Sequence, residues 1–248
     1  GNGMGLRRYI VLLAAALLFQ PGYAARALDV DSLKIYTENY PPYNYTEGAV
    51  IKGTSTEKVL KILKKLGSSL KRSDIQLQPW ARSYETVQHD VNALIYSIAY
   101  SAERKKIFKW VCPIGRIKIG LIAAKADHIV IDSPKDLEKY RIGVVREDIG
   151  HQLIRKIAPT RNLDVAHSSE LNMRKLQNGR IDLFAYDVGV IQFLLPMLNL
   201  DPASYETVFV LDEQDLCIGF NKDAKDELVT AFQWALDAVN AEETSGQQ

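Results

Sequence analysis

Ser101-Ala102-Glu103-Arg104 follows an apolar run at 93–98 and precedes an aromatic one, so a hydroxyl, the open amides of a short helix start and a guanidinium fall together. Such a set suits the gripping of a carboxylate, because charge-assisted bonds from a planar guanidinium and from amide N–H groups converge on anionic oxygen. Asp187 holds the matching place after a second apolar run at 181–185, with Tyr186 beside it. One cation and one anion at the ends of equivalent strands suit a zwitterionic solute. By residue type alone the plainer reading is ahead: Ser101 as an ordinary helix N-cap and Arg104 as a solvated charge. Trp80 and Arg82 lie beyond another strand, where their side chains can reach the same region; a partly buried indole and a helix-start charge fit them equally well. No Ser-His-Asp order, glycine-rich phosphate loop or zinc spacing accompanies these residues, and His89, His128, His151 and His167 read as surface positions. The chain is therefore expected to act without catalysis, cofactor or metal.

The elements that must position these groups alternate between strand and helix. Strands are expected at 33–36, 75–78 and 93–98, with helices at 54–66 and 82–89 between them; the first opens on a Thr54/Glu57 capping pattern and stops at Gly67. Tyr40-Pro41-Pro42-Tyr43 forces an extended loop, because proline disfavours helix at the residue before it. A second series follows: strands at 117–124, 141–145 and 181–185, helices from Ser133-Pro134, at 149–157 and at 169–177, then a short strand at 216–220 and a helix at 227–239. Two α/β units with a leftover strand and helix predict two lobes with the chain crossing twice between them. Lobe 1 is expected over 28–113 plus 222–248 and lobe 2 over 114–221, with a ligand between them at the carboxyl ends of the strands. The polar tail after 240 is expected to fray, and the chain ends soon after its last helix.

At 248 residues with a formal net charge of +1, the chain has ample apolar content for a core and no electrostatic footprint for nucleic acid. Arg7 and Arg8 precede an apolar run at 9–19 and a small-x-small site at 25–27, the pattern of a secretory leader, while Gly1-Asn2-Gly3 reads as a cloning remnant. Residues 1–27 are thus set aside as remnant and signal peptide. Cys112 and Cys217 both lie in strand-like apolar contexts, which favours two buried free thiols over a disulfide, although an exported protein permits either.

The order and spacing of several motifs resemble family 3 extracellular solute-binding proteins, the polar amino-acid receptors of bacterial uptake systems. They are residues 37–43 (TENYPPY), Gly53, Ser101-Ala102-Glu103-Arg104 with Phe108 and Pro113, residues 133–137 (SPKDL), residues 141–145 (RIGVV) and Gly179-Arg180-Ile181-Asp182. Trp80-Ala81-Arg82 and Phe108-Lys109-Trp110 further resemble a proteobacterial branch whose ligands are mostly unassigned. The resemblance implies a two-lobed type II periplasmic-binding fold, each lobe a mostly parallel sheet flanked by helices, with hinge closure over the solute. It implies that Arg104 binds an α-carboxylate, Asp187 an α-amino group, Tyr40 lies against the ligand and Ser97 supplies a polar strand position. It reverses the order of the readings for Arg104. Glu38 is expected in the cleft, orienting Arg82 or Arg104, and Tyr186 as a pocket wall or a core residue. A periplasmic monomer serving an ABC-type permease is the leading expectation. A sensory module for a membrane signalling partner and a cyclohexadienyl-dehydratase-like enzyme using Glu147, Asp148 and Asp187 are the alternatives. Arg146-Glu147-Asp148-Ile149 departs from the hydroxyl-rich turn usual in the family, as do Thr54, Ala99 and Tyr100 at their positions. N-terminal sequencing of the exported protein is expected to begin near Leu28; an intact residue 4 would refute the leader.

Overall fold

The computed structural model describes residues 28–247, so the expected leader lies outside the described residues. The first series is β1 (Lys34–Thr37), β2 (Tyr45–Glu47), β3 (Val50–Lys52), α1 (Thr54–Lys65), β4 (Gln76–Leu77), α2 (Trp80–His89) and β5 (Ala93–Ala99). The second runs β6 (Phe108–Ala124), β7 (Ile142–Val145), α3 (Ile149–Ile154), β8 (Leu163–Ala166), α4 (Ser169–Gln177), β9 (Leu183–Asp187), α5 (Val188–Met197), β10 (Tyr205–Asn221) and α6 (Asp226–Ser245). Every residue of β5, β7 and β9 is buried, as expected for strands covered on both faces.

Eight strands form one sheet in the order β4-β1-β5-β10-β6-β9-β7-β8. The outer pairs, β1 with β4 and β5, and β7 with β8 and β9, are parallel. Antiparallel β6 and β10 join the two halves. Each of these is 17 residues long, a span of about 55 Å at 3.3 Å per residue. Residues 216–220 of β10 pair with β5, and residues 119–122 of β6 pair with β9. Between those stretches, Arg116, Ile117 and Lys118 pair only with Asp215, Gln214 and Glu213, a two-stranded ribbon carrying the ion pairs Arg116–Asp215 (3.1 Å) and Lys118–Glu213 (3.7 Å).

Several features depart from the sequence expectations. Cys112 and Cys217 form a disulfide, their Cα atoms 4.6 Å apart. The long antiparallel pairing of β6 with β10 brings together residues 105 apart in sequence, a pairing hidden when only 216–220 reads as strand. The polar middle of β10 is strand because Glu213 and Asp215 face Lys118 and Arg116 of β6. Helix α1 is capped by Gly53 at φ 119°, and Glu57 bridges to Arg72 at 2.6 Å instead of closing a capping box. A Cβ on Gly53 would lie 2.2 Å from the Tyr43 carbonyl oxygen, so close backbone approach demands glycine there. The C-terminal tail is helical through Ser245, because Lys58 and Lys61 of α1 pair with Glu243 (3.2 and 3.4 Å) and Lys65 pairs with Glu242. Finally, β8 and α5 have no counterpart in the expected series; α5 is almost uniformly apolar and lacks the two-sided pattern of a surface helix.

The disulfide predicts that thiol titration of denatured, unreduced protein finds no free cysteine. Replacing both Cys112 and Cys217 with serine is expected to lower the unfolding free energy by about 2–4 kcal/mol in urea titrations.

Candidate functional site

Arg104 sits just after β5, with only 1% of its surface exposed. Its guanidinium carbon lies 5.3 Å from the Trp80 ring centroid and 5.1 Å from that of Tyr84, both on α2. Nε donates to Gln152 Oε1 at 2.8 Å, Nη1 to the Ala99 carbonyl at 3.2 Å and Nη2 to the Glu147 carbonyl at 2.9 Å. Ala99 belongs to the first half of the molecule, while Gln152 and Glu147 belong to the second, so one side chain ties both halves. Trp80 Nε1 donates to the same Glu147 carbonyl at 2.8 Å. Glu147 has φ 57°, a left-handed conformation uncommon outside glycine, in the turn that directs this oxygen at its two donors.

Opposite this cation lies the loop at 38–44. It is moored by the start of α1, whose Thr54 and Ser55 amides donate to the Pro42 and Tyr43 carbonyls, and by Asn44, whose Nδ2 donates to the Glu38 carbonyl at 2.7 Å. Ser97, in a left-handed conformation at φ 61°, donates its hydroxyl to Asn44 Oδ1. The moored loop delivers Tyr40, whose hydroxyl donates to Asp187 Oδ2 at 2.5 Å across the two halves. Asp187 also caps α5, its Oδ1 accepting from the Gly189 and Val190 amides. Tyr186 stacks on Phe184 at 4.9 Å and meets Tyr40 edge-on at 5.8 Å.

Three carboxylates are buried here: Glu38, Asp148 and Asp187. Burial pushes the Glu38 carboxyl well above the ordinary range, and nearby Asp148 adds to that effect while Arg104 opposes it. Burial likewise raises Asp187, against the bonds from Tyr40 and the α5 amides. Asp148 is pushed up to about 6 by burial, although the Gly150 amide and Arg104 both favour its charged form. Burial is the principal cause in all three cases, since water stabilises an ion better than the surroundings these groups meet.

Of the residues singled out in sequence, Arg104, Asp187, Tyr40, Tyr186, Trp80 and Glu38 come together in this buried cluster. Ser97 is buried behind the loop with its hydroxyl committed to Asn44. Arg82 lies exposed on α2, away from the cluster, because the face of that helix carrying Trp80, Ser83, Tyr84 and Val87 turns inward. Glu38 makes no bond to either arginine among the described residues. Gln152, Tyr84 and Asn44 were not foreseen; the i, i+4 spacing of Asp148 and Gln152 after the strand at 142–145 was the available signal. His151 is half-buried and its Nδ1 accepts from the Glu147 amide at 3.1 Å, a structural role in the turn where a surface position was expected. Among the described residues no group of His, Cys, Asp or Glu is arranged to hold a metal ion, and no helix is long and apolar enough to cross a membrane.

No protein-family model and no curated protein matches the sequence. Solved structures do match the fold. A histidine kinase sensor domain with similarity to periplasmic binding proteins has a TM-score of 0.77 at 15% identity, with 87% of this chain and 93% of that one covered. An ancestral arginine-binding protein bound to glutamine has a TM-score of 0.74 at 19% identity, covering 87% and 94%. The substrate-binding protein of an ABC uptake transporter from Streptococcus pneumoniae, with bound histidine, has a TM-score of 0.74 at 14% identity, covering 90% and 93%. The chain thus has the two-lobed periplasmic-binding-protein fold, and the arginine cluster lies between its lobes.

Because Asp148 holds a proton more tightly folded than unfolded, its contribution to stability is full below about pH 4 and is lost as the pH rises through about 6. Asp148→Asn keeps the helix cap and removes this loss. The variant is expected to gain about 1–3 kcal/mol over the parent at pH 7 that it does not gain at pH 4, measured by urea unfolding without added solute; equal differences at both pH values would refute it.

Proposed function

We propose that this protein captures a small zwitterionic solute, an amino acid or a close relative, between its lobes without chemical turnover. The observation that carries this reading is the state of Arg104. A guanidinium has five N–H donors in a fixed fork, and Gln152, Ala99 and Glu147 take three of them. With the Tyr84 hydroxyl beside a fourth, a direction remains for a carboxylate on a cation that is fully desolvated and clamped between two rings, so a bound anion meets a pre-set partner. Asp187 is the counterpart for the ammonium, with Tyr40, Tyr186 and Trp80 as walls. The two lobes are the bodies that close, and the ribbon of Arg116–Lys118 against Glu213–Asp215 is the hinge. That hinge puts residues 216–221, of which 216–220 pair with β5, in lobe 1, where the sequence bounds (lobe 1, 28–113 plus 222–248; lobe 2, 114–221) had them in lobe 2.

In this reading the protein works as an exported, periplasmic monomer, and an ABC-type permease takes the solute from the closed form. The likeness to a kinase sensor domain favours a second reading, in which closure is passed to a membrane signalling partner. The genes adjoining this one discriminate the two. Turnover of prephenate or arogenate by the purified protein would replace both with an enzyme.

A thermal-shift screen of amino acids, polyamines and organic acids is expected to find a stabilising solute, worth about 2.7 kcal/mol at a hundred times its dissociation constant. Arg104→Ala is expected to weaken that solute by about thirtyfold or more; unchanged affinity by calorimetry would remove Arg104 from the site.

A further inference from the structure

Glu38 differs from the other two buried carboxylates of the cleft. Asp187 is bonded through both oxygens, and Asp148 accepts from the Gly150 amide. Glu38 is only 6% exposed, yet among the described residues nothing donates to its carboxylate; the one bond at this residue goes to its main-chain carbonyl. It lines a cavity of about 270 Å³ between the lobes, together with Gln78, Trp80, Ser169 and Glu170. Gln78 Oε1 is buried and also accepts no hydrogen bond. The cavity therefore presents one sealed acceptor without a donor, Gln78 Oε1, and the unbonded Glu38 carboxylate, which still reaches solvent, beside an indole; His167 also lines it, and Glu170 adds a carboxylate that accepts from Asn39 Nδ2 at 3.5 Å. Acceptors of this kind, left without donors inside a protein, are costly unless a donor arrives.

Charge points the same way. Glu38, Asp148 and Asp187 lie close together with one buried cation, Arg104, beside the first two, so ionising all three would leave an excess of two negative charges, and the repulsion between them helps hold protons on Glu38 and Asp148. A neutral zwitterion does not change that excess, and an acidic solute enlarges it. A solute with an additional cationic group reduces it.

We propose that the cavity bounded by Glu38, Gln78 and Trp80 receives an ammonium or guanidinium of the bound solute, which makes the ligand a basic amino acid of net positive charge. The cation gives Glu38 and Gln78 Oε1 the donors they lack and lies beside the Trp80 ring, where a desolvated cation is further favoured. The burial that raises the Glu38 carboxyl has the same origin: its charged form has no partner until a cation enters. This inference rests on the amino-acid-binding reading and adds the class of side chain.

The test is calorimetric titration of the full protein with L-arginine, L-lysine, L-leucine and L-glutamate, and of the E38Q variant with the same four. The parent is expected to bind L-arginine or L-lysine about tenfold or more tightly than the other two, and E38Q to lose most of that preference. Parent protein that binds L-leucine or L-glutamate as tightly as the basic pair overturns the inference while amino-acid binding stands. Full retention of the preference in E38Q overturns the assignment to Glu38. Binding of none of the four overturns the amino-acid reading and this inference with it. The parent's own preference needs no variant, so the test survives a failure of E38Q to fold.

Discussion

A guanidinium does not shed its proton in a protein, so burying Arg104 obliges the surrounding chain to supply acceptors and negative charge in its place. The centre of the molecule is arranged to meet that demand. Trp80 and Tyr84 flank the guanidinium, Gln152 and two main-chain carbonyls accept from it, and Asp148 and Glu38 lie close enough to favour its charge. Because these partners come from both lobes, the solvation of Arg104 and the approach of the lobes are one event. In the proposed hinge motion, opening would return Arg104 toward water but take Gln152 and the Glu147 carbonyl away. Closure therefore rests on desolvated bonds at the centre, and the exposed ion pairs of Arg155 with Glu103 and Glu147 at its edge add little.

The two halves of the sheet are joined through β6 and β10, so the proposed hinge motion passes through them. These strands are braced by β5 at one end and β9 at the other, leaving three residue pairs between them with no further sheet neighbours. A two-stranded ribbon twists more readily than a strand fixed on both sides. The Cys112–Cys217 bond lies at the lobe 1 end of that ribbon and holds its strands in register. Bending is thereby directed to Arg116–Lys118 and Glu213–Asp215, whose cross-strand ion pairs keep the strands matched while remaining exposed.

Much of the site was legible in sequence because its main residues occupy the ends of strands. Pattern places Arg104 after 93–99 and Asp187 at the end of 183–187, but by pattern alone Arg104 read as a solvated charge, and only the family resemblance marked it for the cleft. Tyr40 was legible through the prolines beside it. The turn at Glu147 was not: its function lies in a main-chain carbonyl aimed by a left-handed backbone, and no side-chain type records that. Gln152 and Tyr84 were hidden for another reason, since an amide or a tyrosine on a helix is ordinary until its partner across the cleft is known. Ser97 shows the converse. Its polarity on a buried strand marked it correctly as unusual, yet its hydroxyl holds Asn44 and so acts on the Tyr40 loop from behind. The disulfide and the length of β10 were lost together, because Glu213 and Asp215 read as loop until Lys118 and Arg116 are seen opposite them.

The distribution of charge in the cleft separates what holds the fold from what the fold is for. Asp187 accepts from two α5 amides through Oδ1 and from Tyr40 alone through Oδ2, so its carboxylate serves the structure with or without a solute and keeps one acceptor direction on Oδ2. Asp148 caps α3, but its raised protonation range shows that its charge is tolerated at some cost in stability. Glu38 contributes no bond from its carboxylate and lies between the lobes beside a second unmet acceptor. A buried group that the fold does not use and that destabilises the fold when charged is more economically explained by a partner arriving from outside. This ordering, from Asp187 through Asp148 to Glu38, follows increasing distance from structural need.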